Sequence, residues 1–425
     1  MKKVTVCITA RQDHLGGGER KAQIYFKQLT KYQWIRCYLI RIGKKVKQEG
    51  NVIDTTSQKL ETALEKVQTD VVFAIWDYDH VISLRKKHPK WKVLLHVNFT
   101  NGYRSSVPCL IISKTDYYKL SLLGNDMEKD HVLYNPQEVA LWAPKKRPQE
   151  GDRLVIGRLA RAEPTKWSAL FLATLISLNF SATREKLAFS FVGLPRLYRV
   201  ALKLFVRPSI RKHITLLPEM KDKQAILQWY HSVDVFWQTS KIGESFGNVI
   251  AEAFCCGVPV ITDVKDFRTH DRANPKVYNA QIELVDHGQN GWYGSYPSVI
   301  ISTLGGINKG DALRMGLAGR RKVEKNYAAS LSARTLASMI QRIMSLEGRR
   351  LPLYPTKKEI EAYSAEYVQR MTVSEEVHKS VRWHQWLLLR IWNICWSAVE
   401  LLYVLTRKVC AQIGIDFERG IRYSE

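Results

Sequence analysis

Apolar positions arrive along this chain in short, nearly continuous runs separated by longer stretches of helical or polar spacing. Residues 3–10 read as a buried strand, and further runs cover 71–76 and 93–97. A run over 132–134 ends at Asn135-Pro136, and the pattern resumes over 154–157, 188–193, 214–217, 233–238 and 260–262. Strands alternating with helices predict a parallel sheet covered on both faces. The charged, proline-bearing connector over 144–152 divides the series in two. The series fades near Leu346, Leu351-Pro352-Leu353-Tyr354-Pro355 reads as a linker, and the chain from Lys357 onward reads as helical. The predicted fold class is α/β. Two Rossmann-like domains, residues 1–140 and 141–346, precede a helical C-terminal extension over 347–425.

Composition adds a partner to this plan. At 425 residues, two domains are the default expectation. Hydrophobic content of 45% and charged content of 25% are those of a globular chain. The formal net charge of +25, with runs such as Arg85-Lys86-Lys87 and Lys145-Lys146-Arg147, points to a polyanionic surface, a nucleic acid or an anionic membrane. No nucleic-acid-binding motif accompanies the charge, so nucleic acid is set aside. The 7 cysteines show neither a C-x-x-C pair nor a Cys/His ligand spacing, which fits buried thiols in a reducing compartment. The opening apolar run, soon followed by Arg11 and Asp13, is a first strand too short for the apolar core of a signal peptide, and a cytoplasmic location is expected.

The chemistry concentrates in the stretch GESFGNVIAEAFCCGVPVIT from Gly243 to Thr262. Ser245 is an N-cap candidate; Phe246, Val249, Ile250 and Ala253 recur at helical spacing, and Gly257 with Pro259 ends the helix. Such a helix starts just after Glu244 and carries Glu252 on its third turn, about 10 to 12 Å away at 1.5 Å per residue. That separation exceeds the spacing of an inverting hydrolase pair and suits two ends of an extended ligand. Free N–H groups around Phe246, Gly247 and Asn248 offer an anion site between them. A carboxylate at each end and an anion cradle between would fit a sugar–diphosphate–ribose.

With Glu244 and Glu252 bracketing Ser-Phe-Gly-Asn-Val-Ile-Ala, this stretch resembles the E-x7-E region of retaining GT-B glycosyltransferases of the family 4 type. Gly16-Gly17-Gly18-Glu19 after the first strand agrees, as do Ile156-Gly157-Arg158-Leu159 leading to Lys166, and Glu283-Leu284-Val285 through Gly288-Gln289-Asn290-Gly291. The match spans roughly residues 3 to 345. The resemblance implies an enzyme that transfers a hexose from a nucleotide-diphosphate sugar with retention of configuration, the donor phosphate deprotonating the attacking hydroxyl. It implies that Glu252 holds the ribose hydroxyls, Glu244 contacts the donor sugar, and Lys166 with a second cation neutralises the diphosphate. Arg161 satisfies the family's Arg-x4-Lys spacing, whereas the Gly-Arg dipeptide points to Arg158; the first is preferred and both stay open. Gly17 and Gly18 would let backbone N–H groups approach the donor. His96, at the end of a first-domain strand, either touches the donor sugar or is a core histidine. Asp77-Tyr78-Asp79 has the form of a metal-binding Asp-x-Asp, but a basic phosphate clamp makes a metal redundant, and no metal or other cofactor is expected.

The tail supplies the last expectation. Over residues 385–406 the helix is apolar and Trp-rich, with Arg390, Asn393, Ser397, Glu400 and then Arg407 on one polar stripe. Lys379, Arg382 and Lys408 flank it, so an interfacial helix on an anionic membrane is expected, with docking against the enzyme's own domains as the alternative. These features together predict a peripheral enzyme of polysaccharide biosynthesis whose acceptor is a lipid-linked or surface glycan precursor. A soluble glycoside product is the second possibility.

Overall fold

The computed structural model describes residues 3–12, 17–98, 102–104, 106–125, 127, 130–144, 151–265, 278–345, 357–379, 381 and 383–412. Gly16, the 145–147 basic run, the 351–355 linker and Arg382 lie outside the described residues, as do the side chains of Arg407 and Lys408.

The apolar runs close into two sheets. The first contains β1 (Val4–Arg11), β2 (Ile35–Ile42), β3 (Lys47–Glu49), β4 (Val52–Thr55), β5 (Val71–Ala74), β6 (Lys92–Val97), β7 (Cys109–Ile111) and β8 (His131–Val132). Their order is β3-β4-β2-β1-β5-β6-β7-β8, parallel throughout except for β3 against β4. The second contains β9 (Leu154–Leu159), β10 (Leu187–Val192), β11 (Ile214–Leu217), β12 (Val235–Gln238), β13 (Val260–Thr262) and β14 (Gly291–Tyr293), all parallel, in the order β11-β10-β9-β12-β13-β14. Both sheets are doubly wound. The chain reverses its direction of travel between β1 and β5 and again between β9 and β12, and a crevice opens outside the carboxyl ends of such strand pairs.

Seven helices bear on the site and the tail: α1 (Gly17–Leu29), α2 (Lys114–Leu122), α3 (Ala169–Ser177), α4 (Asn248–Cys255), α5 (Ala329–Ser345), α6 (Lys357–His378) and α7 (Trp383–Gln412). The runs β1, β5, β6 and β9 to β13 lie where the pattern predicts them. The polar-interrupted β2 and the short β3, β4, β7 and β14 do not announce themselves as apolar runs.

Two departures concern the C-terminal part. Helix α5, which the pattern assigns to the second unit, crosses back: Leu336, Ala337, Met339 and Ile340 share a core with Val6, Ile8, Tyr25 and Phe73 of the first. The tail, moreover, is no detached extension. Helix α6 buries Tyr367 and Met371 in the core around α4, and it bonds both units through Lys114–Glu366 at 3.1 Å and Arg370–Asp286 at 2.7 Å. Helix α7 lies on the second unit, where Trp396 is buried and the Trp392 Nε1–H donates to the Ala169 carbonyl at 3.0 Å. Its polar stripe is therefore not wholly wet. Glu400 is buried and accepts hydrogen bonds from Tyr198 and Lys241, while Leu388, Ile391, Ile394, Leu401 and Leu402 face outward.

Candidate functional site

The crevice between β9 and β12 collects the predicted carboxylate and cation. Beyond Leu159, a tight turn over Pro164–Lys166 delivers Lys166; beyond Gln238, a loop delivers Glu244. The Lys166 ammonium lies 3.3 Å from each Glu244 oxygen, and the Gln238 amide donates to Glu244 Oε1 at 2.8 Å. The Glu244 N–H donates to Gln281 Oε1 at 3.1 Å, so backbone and side chain are both held. The loop's path depends on Gly243, whose φ of 73° favours glycine and where a Cβ would meet the Tyr278 carbonyl oxygen at 1.8 Å.

The helix that follows starts later than its sequence suggests. It begins at Asn248, capped by Gly247 in the left-handed region at φ 96°, not by Ser245. Two left-handed glycines, Gly243 and Gly247, keep the intervening residues out of the helix, so Glu252 sits on the second turn, not the third. The Phe246 ring turns away into the core, 6.2 Å from Tyr134 and 5.5 Å from Tyr327. Among the described residues no acceptor takes the N–H groups of Gly247 and Asn248, and the Asn248 side chain accepts from Gln137 at 3.1 Å.

Glu252 is buried between the units. Arg20 of α1 ion-pairs with it, and the Tyr230 hydroxyl lies 3.5 Å away. Burial pushes its carboxyl above the ordinary glutamate range, and Arg20 opposes that shift. Gly17, at the start of α1, permits this approach of the two units, since a Cβ there would come within 2.9 Å of the Asn248 side-chain nitrogen. Gly18 stands over Ile75 and Asn98.

The two candidate arginines divide sharply. Arg158 is fully buried; its guanidinium donates to the carbonyls of Trp237 at 3.0 Å, Thr239 and Lys166, and stacks 4.6 Å above Trp167. Burial lowers its pKa to about 10. Its charge serves backbone oxygens inside the fold. Arg161 is half-exposed and pairs with Glu163 at 3.0 Å, so it alone of the two presents its guanidinium outward.

His96 ends β6 in the core, stacked on Phe73, with Nε2 2.8 Å from the Leu133 carbonyl. Burial and neighbouring Lys21 depress its pKa far below the ordinary value, so it is neutral. Its Nδ1 is buried with no partner among the described residues. Lys21 is also buried, with its pKa lowered by burial, and bonds Asn98. Asp79 is held by a two-point contact from Arg104 at 2.8 and 3.1 Å, and Asp77 lies 3.2 Å from His80 and 3.3 Å from Ser57. The Asp-x-Asp carboxylates thus have protein partners.

The sequence gives no sign of Arg20, Gln238 or Gln281 as contributors. Arg20 follows the glycine loop directly, which is the one available hint; its partner lies 232 positions away.

Known proteins resemble this chain through a family model that matches part of it and through solved structures that share its fold. Residues 152–292 match the family described as "Glycosyl transferases group 1". No curated protein matches the chain. Among solved structures, Anabaena HepE in complex with UDP and glucose aligns over 79% of this chain and 99% of its own at 15% identity, with a TM-score of 0.59. Sucrose-phosphate synthase from Thermosynechococcus elongatus aligns over 81% and 100% at 10% identity, TM-score 0.64. A lipopolysaccharide outer core galactosyltransferase aligns over 81% and 100% at 14% identity, TM-score 0.60. At such identities these likenesses establish the fold. The group 1 match over the second unit and the two-sheet GT-B fold together support a GT-B glycosyltransferase.

Proposed function

We propose that this protein transfers a hexose from a nucleotide-diphosphate sugar, with retention of configuration, to a hydroxyl of a lipid-linked or surface glycan precursor. The observation that carries the reading is the placement of Lys166 against Glu244 at the β9–β12 crevice, with Glu252 on the helix that follows. In this reading the nucleotide ribose replaces Arg20 at the Glu252 carboxylate or shares it, and the diphosphate lies towards Lys166, Arg161 and the N–H groups of Gly247 and Asn248. Glu244 orients the donor sugar. Lys166 matters most as the glycosidic bond breaks, because the leaving phosphate then gains charge. Arg158 acts through Lys166, whose carbonyl it holds. The resemblance to retaining GT-B enzymes implies that the proton of the attacking hydroxyl passes to the donor phosphate, and no protein nucleophile is invoked.

The acceptor side rests on the first unit. At the carboxyl ends of β1 and β5, Trp76 is 43% exposed and Arg11 stacks 4.8 Å above it, an aromatic face suited to a sugar ring beside a cation suited to a phosphate. The exposed apolar face of α7 and the net charge of +25 favour a peripheral position on the cytoplasmic face of an anionic membrane.

A thermal-shift and calorimetric screen of nucleotide-diphosphate sugars tests the donor assignment. One nucleotide class should raise the melting temperature saturably and bind at one site per chain. Failure of every nucleotide sugar to bind would overturn the reading.

A further inference from the structure

Three consecutive carbonyls fix the backbone that carries Lys166. The Thr165 oxygen accepts from the Lys241 N–H at 3.3 Å and the Ser240 hydroxyl at 3.4 Å. The Lys166 oxygen accepts from Arg158, and the Trp167 oxygen accepts from the Tyr198 hydroxyl at 2.7 Å. Two of these three holds lead to a single side chain on the tail. Glu400 of α7 takes the Lys241 ammonium on Oε2 at 3.0 Å and the Trp396 indole N–H on Oε1 at 3.0 Å, and the Tyr198 hydroxyl lies 2.8 Å from Oε1, its one hydrogen shared between this carboxylate and the Trp167 carbonyl. It lies 202 positions from Tyr198 and is 6% exposed.

A carboxylate so placed contributes little to net stability, because its desolvation offsets most of what the three donors return. What it does is specify one seat for α7, since sliding the helix by a turn would part the carboxylate from the Tyr198 hydroxyl and the Lys241 ammonium, its two partners outside the helix. The helix touches α3 along the stripe Leu389, Trp392 and Trp396, and a cavity of about 430 Å³ remains beside Glu400, walled by Ser168, Leu170, Asp263 and Tyr296. The position of α7 is thus read at Glu400 as well as at the Trp392–Ala169 hydrogen bond.

The geometry points to Glu400 as a positioning residue for Lys166: the tail helix, through Tyr198 and Lys241, sets where the phosphate-binding ammonium stands. This rests on the proposed role of Lys166 at the donor diphosphate. Seating of α7, by lipid or otherwise, then bears directly on turnover.

Kinetics of the full chain test it. Glu400→Leu should lower kcat about tenfold while the donor KM stays within about twofold, since misplacing a positioned group acts on the transition state more than on binding. Glu400→Gln, which keeps an oxygen for Tyr198 and Trp396, should restore at least about half of the activity. In a Lys166→Ala background Glu400→Leu should cost nothing further, because the two act as one unit. Amide exchange over residues 163–167 should quicken in Glu400→Leu while β10 is unchanged. An unchanged kcat, an equal loss in both backgrounds, or unchanged exchange would overturn the inference. Should Glu400→Leu fail to fold, Lys241→Met removes the contact to Glu400 Oε2 while leaving the Lys241 N–H on the Thr165 carbonyl, and carries the same tests. If the wild type turns over no nucleotide sugar, the glycosyltransferase reading fails, and the exchange measurement still decides this one.

Discussion

Arg20 on α1 and Glu252 on α4 join the two units through an ion pair in which the carboxylate is 6% exposed and the guanidinium 32% exposed. The carboxylate expected to hold a ribose is therefore already occupied by a cation that solvent can reach. A ligand with two adjacent hydroxyls can take over the oxygens while Arg20 turns outward. Glu252→Gln should weaken binding of a nucleoside diphosphate about tenfold or more, since hydrogen bonds to a charged acceptor contribute about 1.5 to 3 kcal/mol. Calorimetry with uridine diphosphate measures this directly. Unchanged affinity in a folded variant removes Glu252 from the ribose site.

The same pair sets a pH dependence. Burial raises the Glu252 carboxyl above 4.5 and Arg20 restrains the rise. Binding needs the carboxylate, so nucleotide affinity should be full at neutral pH and fall as pH drops through the raised value. Stability responds with the opposite sign: the unfolded chain ionises first, so this group's contribution declines as pH rises from 4.5 through the folded value. Arg20→Ala should move both edges to higher pH. Affinity measured against pH in the two proteins checks it, and an edge that ignores Arg20 assigns the titration elsewhere.

Lys166, Arg161 and Arg158 should separate by assay. Lys166→Ala should reduce kcat more than it raises the donor Kd. Arg161→Ala should behave similarly with its stability nearly unchanged, because its side chain is half-exposed. Arg158→Met strands the carbonyls of Trp237, Thr239 and Lys166, each worth about 1 to 3 kcal/mol when left buried and unpaired, so it should lower Tm before any question of rate arises. Kinetics and thermal melts on all three decide the matter. A stable, inactive Arg158 variant beside a silent Arg161 variant would reverse the assignment.

How much of the fold and site is legible in the sequence depends on distance along the chain. Continuous apolar runs betray β1, β5, β6, β9, β10, β12 and β13, because strands buried on both faces need no polar positions, and the edge strand β11 shows a similar run although Thr215 and Leu216 are exposed. β2 interrupts its run with Arg36 and Arg41, the latter bonded to Asp54 of β4, and so hides. The apolar stripe of α5 is visible, but nothing in a stripe says which sheet it covers. Lys166 and Glu244 can be named from a motif, and the crevice brings them together. Arg20 and Glu252, or Tyr198 and Glu400, are partners more than 200 positions apart, and no spacing rule reaches that far. The late start of α4 is a failure of another kind: Ser245 has the right chemistry for a cap, and two left-handed glycines override it.

Metal removal tests the phosphate clamp. If Lys166, Arg161 and the N–H groups of Gly247 and Asn248 hold the donor diphosphate as proposed, activity should persist in EDTA. Asp77 and Asp79 are expected to stay with His80, Ser57 and Arg104. Activity lost in EDTA and restored by Mn²⁺ or Mg²⁺ would make those two aspartates the first ligands to substitute.

The tail docks on the second unit, one of the two alternatives that its sequence offers, and a pair of variants tests the other, the membrane contact proposed for its outward face. Along α7 the stripe Leu389, Trp392, Trp396 and Glu400 meets the second unit, while Leu388, Ile391, Leu401 and Leu402 project outward. Trp383–Thr406 is long and apolar enough to cross a membrane, but a spanning helix would have to leave the seat that Glu400 holds. Lying in the interface keeps the seat and covers the outward face. Leu388→Glu with Leu402→Glu should therefore leave folding nearly unchanged, since exposed substitutions typically cost within about 0.5 kcal/mol, yet abolish pelleting with anionic vesicles. Removing residues 351–425 should abolish pelleting too, but it should also lower Tm, because it takes Tyr367, Met371 and Trp396 out of the core. High salt should release the wild type only partly, as apolar burial survives screening. If the double variant still pellets, the basic surface of the first unit makes the contact. If it unfolds, the outward face is packed against protein and the interfacial assignment falls.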